Sequence, residues 1–122
     1  MKVAAVSEDF LTLSGKAGKA RRFLVYEAER NRTPLLERKY ELPAHVPAFH
    51  DLHEDHHSPH PLDGMLLLTA DAGEGFRERL QRRGITVVIT SERDPEQAIQ
   101  KMFDGTLPEI QPTPREQCDC NA

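Results

Sequence analysis

Six histidines fall within sixteen residues of this chain, and there are none elsewhere. They are His45, His50, His53, His56, His57 and His60 in the stretch AHVPAFHDLHEDHHSPH, interleaved with Asp51, Glu54 and Asp55. Imidazole nitrogen and carboxylate oxygen are the donors that suit zinc, iron, nickel or cobalt. His53 and His57 are four residues apart, as are His56 and His60, so one helical turn over 52–57 would put the first pair on a common face. Pro59 and Pro61 keep any such helix short. A loop offers another route, with imidazoles converging from several directions on a larger ligand. The spacing matches no zinc signature, and the competing reading is a solvated polar loop. Unliganded imidazoles titrate near neutrality, so metal affinity should weaken as pH falls.

Two further donors lie at the far end of the chain. Cys118 and Cys120 are its only cysteines; they cannot staple a core, and one intervening residue suits an ordinary structural disulfide poorly. As soft thiolates they could ligate a metal or cluster, and an exposed, oxidation-prone end fits them equally. Activated-nucleophile chemistry has little support, because Ser7 and Ser58 sit in no nucleophile motif. Asp9, Asp63, Asp71 and Asp94 form no recognisable carboxylate set for a divalent-metal hydrolase.

The elements that must position these residues centre on 64–90, GMLLLTADAGEGFRERLQRRGITVVIT. An apolar run at 65–68, a glycine-bearing turn, a helical pattern at 74–83 stopped by Gly84, and a β-branched run at 85–90 make one right-handed β-α-β crossover. Its strands are near-continuous apolar runs, as expected of parallel strands covered on both faces. Upstream, residues 2–6 read as a short buried strand. A Ser/Gly/Lys turn at 14–19 follows, then a strand at 22–28 and a returning antiparallel strand at 35–42. Residues 43–61 sustain no period and carry prolines, so they read as a long loop with a short helical turn around 48–52. Downstream, Asp94 suits an N-cap, Pro95 the first helical position, Gln97 a capping-box return and Gly105 the stop. Residues 1–107 are therefore expected to form one domain, with 108–122 a flexible tail.

At 122 residues the chain is long enough to fold without disulfides or metal. Sixteen basic against twenty acidic residues, a net charge of −4, give little support to nucleic-acid binding. No apolar segment is long enough to span a membrane, so the cytoplasm is the default location.

The order of these pieces resembles the dinitrogenase iron-molybdenum cofactor biosynthesis family, small accessory proteins that bind or carry nitrogenase cofactor precursors. The resemblance rests on KVAAVSED, SGKAGKARRFLVYE, the His-rich segment ending SPHPLDG, the AGEGF turn, the helix ending RRG, and TSERDPEQAIQKMFDGTLP. It implies an α/β, ribonuclease H-like fold, with a five-stranded mixed sheet flanked by helices. Many members carry an HFG-like segment after the first serine–glycine turn, where this chain has Lys16-Ala17-Gly18. The histidine best placed to ligate a cluster there is absent. Lys16, Lys19, Arg21 and Arg22 offer charge for an anionic cluster instead, although the two arginines could equally be a solvated start to a strand. The burden of ligation then shifts to His45, His50, His53, His56, His57 and His60. The turn 72–75 reads as structural, since Glu74 would oppose an anion at the helix start. The resemblance thus implies noncatalytic binding, storage or delivery of an iron-sulfur or iron-molybdenum cofactor precursor, with assembly proteins or apo-nitrogenase as partners. The alternatives are a metal-independent regulatory or scaffold module contacting a metalloprotein, and a divalent-metal hydrolase.

Overall fold

The computed structural model describes residues 1–51 and 60–112, so His53, His56, His57, Cys118 and Cys120 lie outside the described residues. Within these bounds the chain runs through β1 (Lys2–Val6), a 3-10 turn (Ala17–Lys19), β2 (Arg22–Glu27), β3 (Leu35–Glu41) and a second 3-10 turn (Phe49–Asp51). It continues through β4 (Leu66–Thr69), α1 (Glu74–Gln81), β5 (Thr86–Ile89) and α2 (Pro95–Asp104). The strands form one mixed sheet in the order β3-β2-β1-β4-β5. β2 is antiparallel to both neighbours, while β1, β4 and β5 run parallel. This is the five-stranded mixed α/β sheet expected from sequence, with helices on both faces.

Alternation along each strand divides the core in two. Ala4, Val6, Phe23, Leu67, Val87 and Ile89 face Phe76 and Leu80 of α1, together with Phe49 and Leu62 from the loop before β4. Val3, Ala5, Leu24, Tyr26, Leu68 and Val88 face Ala98 and Ile99 of α2, with Leu13 beside them. The central strands are apolar at nearly every position because both of their faces are covered.

Helix ends follow local chemistry. The Asp94 carboxylate accepts from the N–H groups of Glu96 (3.0 Å) and Gln97 (3.2 Å), and Gly105 closes α2 at φ 76°. The reciprocal half of the capping box is not made by Gln97: its side chain bonds Gln100, and Glu92 accepts from the Asp94 N–H at 3.2 Å. β3 forms the sheet edge, with a bulge opposite Val25 and Tyr26, and it is solvated at almost every residue. Its mixed composition is that of a charged, bulged edge strand that discourages further pairing.

Past α2, the Pro108 carbonyl accepts from Thr90 Oγ1 (2.6 Å) and the Ile110 N–H donates to Ile89 (2.9 Å). Residues 108–110 are thus fastened along β5. Among the described residues no helix is long and apolar enough to cross a membrane.

Candidate functional site

The loop leaving β1 is tightly determined. Ser14 closes back on the strand end through its N–H to the Val6 carbonyl (2.9 Å), and its hydroxyl accepts from the Glu8 N–H (3.1 Å). The Asp9 carboxylate accepts from the N–H groups of Thr12 (2.8 Å) and Leu11 (2.9 Å), which hold it well below the usual carboxylate range. Gly15 follows at φ 95°, a conformation that favours glycine. A Cβ there would also stand 2.8 Å from Glu8 Oε1.

The next turn is stitched to β4. Lys16 bridges Asp71 in parallel fashion and the Ala17 N–H donates to the Asp71 carbonyl at 3.2 Å. The buried Thr69 hydroxyl lies within reach of the Gly15 (3.3 Å) and Asp71 (3.1 Å) carbonyls. These contacts shape a groove of about 560 Å³ between the end of β1 and the start of β2, lined by Val6, Ser7, Glu8, Gly15, Lys16, Lys19, Ala20, Arg21 and Arg22. It opens beyond the carboxyl end of β1, the edge of an open α/β sheet at which ligands usually bind.

All four cations proposed from sequence line this groove, but their side chains divide into two pairs. Arg21 directs one guanidinium nitrogen at the carbonyls of Pro43 (2.7 Å), Val46 (2.9 Å) and Leu42 (3.4 Å), so it organises the chain after β3. Arg22 contacts Glu41 (3.2 Å) and the Glu8 carbonyl (3.0 Å), with its guanidinium 5.4 Å from the Phe10 ring centre. Lys16 and Lys19 are exposed and enter no ion pair among the described residues. The lysines are the exposed, strongly hydrated charges of the groove, and the arginines are largely occupied with its walls.

The three described histidines occupy three environments. His45 is exposed. His50 is half-buried on the second 3-10 turn, and a Cβ on Gly18 would stand 3.5 Å from its Cβ, so it abuts the lysine turn. His60 is 5% exposed and stacks on Phe49 with ring centres 4.3 Å apart. Its Nδ1 accepts from the Leu62 N–H (3.2 Å), while the buried Nε2 makes no well-formed hydrogen bond among the described residues. Burial pushes the His60 pKa down, helped by the Arg83 cation; Asp63 and the Pro47 carbonyl pull the other way. Among the described residues no group of three or more His, Cys, Asp or Glu side chains is placed to hold a metal ion. His53, His56 and His57, expected as donors, fall outside those residues, as do Cys118 and Cys120, for which ligation and an exposed end were equal readings.

Sequence reading missed two parts of this arrangement. One is Glu8, whose side chain lies against Gly15 at the groove. The other is the anchoring of the histidine stretch. Phe49 packs edge-on against Phe23 (6.4 Å) and Phe76 (6.0 Å) while stacking on His60. Asp63 accepts from the His60 N–H (2.9 Å) and pairs with Arg83 (3.0 Å). A lone phenylalanine in a proline-punctuated polar stretch was the available signal for that anchor.

The sequence pattern of a family described as dinitrogenase iron-molybdenum cofactor matches residues 1–105. Among solved structures, PH0822 is 22% identical, with a TM-score of 0.61 over 89% of this chain and 94% of its own. A protein described as a candidate dinitrogenase from Methanocaldococcus jannaschii is 12% identical, with a TM-score of 0.56 over 92% of this chain and 96% of its own. A candidate NifB protein from Thermotoga, solved by NMR, is 21% identical, with a TM-score of 0.55 over 94% and 97%. At these identities the likeness is one of fold. No curated protein matches the sequence. With the family pattern spanning all the strands and both helices, the chain belongs to the dinitrogenase iron-molybdenum cofactor family.

Proposed function

We propose that this protein binds, stores or delivers an iron-sulfur or iron-molybdenum cofactor precursor for metallocluster assembly, without catalysing its conversion. The observation that carries the reading is the lysine-bearing groove at the carboxyl end of β1, in a chain whose family serves this pathway. The precursor is cargo. Lys16 and Lys19 balance the charge of an anionic cluster, while Arg21 and Arg22 mainly hold the groove's walls. The proposed ligands are drawn from His45, His50, His53, His56, His57 and His60. Of the described three, His50 abuts the lysine turn, and His60 Nε2 makes no well-formed hydrogen bond among the described residues. Imidazole binds such metals reversibly near neutral pH, as transfer requires.

The strand order and directions support a ribonuclease H-like assignment. Residues 1–107 are the proposed domain, extended by the three residues fastened to β5 and followed by the tail. Cofactor assembly proteins or apo-nitrogenase are the proposed partners, and the cytoplasm the proposed location. The test is anaerobic loading with an iron-sulfur precursor, desalting and metal analysis. His50→Ala and a combined His53→Ala, His56→Ala, His57→Ala variant should each lose retained metal while keeping native circular dichroism. Undiminished retention in both would contradict the ligand assignment. His60→Ala belongs in a separate arm, since it also removes a ring stacked in the core.

A further inference from the structure

We propose that Glu8 is a specificity-determining residue of the groove, its carboxylate opposing Lys16 and Lys19 so that anionic metal–sulfur cargo is held weakly enough to be released. This rests on the reading of the groove as the cargo site. Three observations converge on it. The Glu8 side chain lies directly over Gly15, close enough that any side chain at that position would meet Oε1 at 2.8 Å, so glycine leaves the space the carboxylate occupies. Both residues line the groove with the two lysines. The neighbouring Arg22 donates to the Glu8 carbonyl oxygen (3.0 Å), and its guanidinium pairs with Glu41. Glu8 enters no ion pair among the described residues, so its negative charge stands unneutralised at the groove that the two lysines line.

A carboxylate in this place repels an anion in proportion to the anion's charge and attracts a bare cation. For a dianion roughly 8 Å away in a water-filled groove, losing that repulsion should tighten binding about five-fold, and added salt should shrink the difference. The probe is tetrathiomolybdate, a metal–sulfur dianion, titrated anaerobically into the full chain and followed by its optical spectrum, with zinc titrated separately. Glu8→Gln and Glu8→Ala should bind tetrathiomolybdate more tightly and release it more slowly than the unaltered protein. Glu8→Asp, which keeps the charge, should stay near it, and zinc affinity should be no higher in either neutral variant. If the unaltered protein fails to bind the probe, the cargo reading falls and this proposal falls with it. If it binds and the neutral variants bind equally or more weakly, Glu8 is not a repulsive element, and the cargo reading stands without it.

Discussion

Arg21 and Lys16 are five residues apart and line one groove, yet their side chains do different work. One Arg21 nitrogen meets three main-chain carbonyls where the chain leaves β3, whereas Lys16 is exposed. The Leu42 and Val46 carbonyls are part-buried and costly to leave without a charged donor, whereas Pro43 is exposed, so Arg21→Gln should destabilise the protein by about 1–2 kcal/mol in urea unfolding. Lys16→Gln and Lys19→Gln should leave the midpoint unchanged. Equal effects would undo the division of the four cations. That division was illegible in sequence, because the arginine's partners are carbonyls brought near by the return of β3.

Tyr26 gives a residue-level test of the buried face behind β2. It is 4% exposed, and burial, aided by Glu96 and Asp94, pushes its phenol from 10.0 up to about 12. The unfolded chain therefore releases this proton at lower pH than the folded one. The stability contributed by the neutral phenol is complete below pH 10 and is lost progressively between pH 10 and about 12. Tyr26→Phe should flatten the fall in unfolding free energy over that interval, and an unchanged alkaline slope would contradict the burial.

At the level of elements, apolar runs were the strongest guide. The two strands and helix expected in the central crossover are β4, α1 and β5, with ends shifted by one or two residues. Leu67 sits at the centre of that unit at 1% exposure, and Leu67→Ala should cost about 2–4 kcal/mol through lost burial and a cavity. Gln81→Ala at the exposed end of α1 should stay within about 0.5 kcal/mol. Similar losses from both would displace β4 from the core. Asp94 was legible because capping chemistry is local. The Phe49–His60 stack was not, because it joins residues separated by the least periodic part of the chain. The same absence of period hid the second 3-10 turn's contact with Gly18, although a turn at that position was expected.

At the scale of the whole molecule, the core strands and helices could be read from 122 residues because each carries its own pattern, while their union in a five-stranded mixed sheet was implied by the family resemblance. The tethering of Pro108–Ile110 could not be read, since these residues are held by hydrogen bonds rather than an apolar period. A chain ending at residue 112 should melt like the full protein, and one ending at 107 should melt lower while still unfolding cooperatively. Identical melting of the two would show that the β5 fastening contributes nothing. The groove's purpose is the central claim, and charge selectivity tests it most directly. Tetrathiomolybdate and zinc should be titrated anaerobically into the unaltered protein and into a Lys16→Gln/Lys19→Gln variant of equal thermal stability. The account predicts that the double substitution weakens tetrathiomolybdate binding about ten-fold or more, since two opposing charges are removed beside a dianion, while zinc affinity barely changes because no donor is lost. Equal tetrathiomolybdate affinity in the two proteins would contradict it.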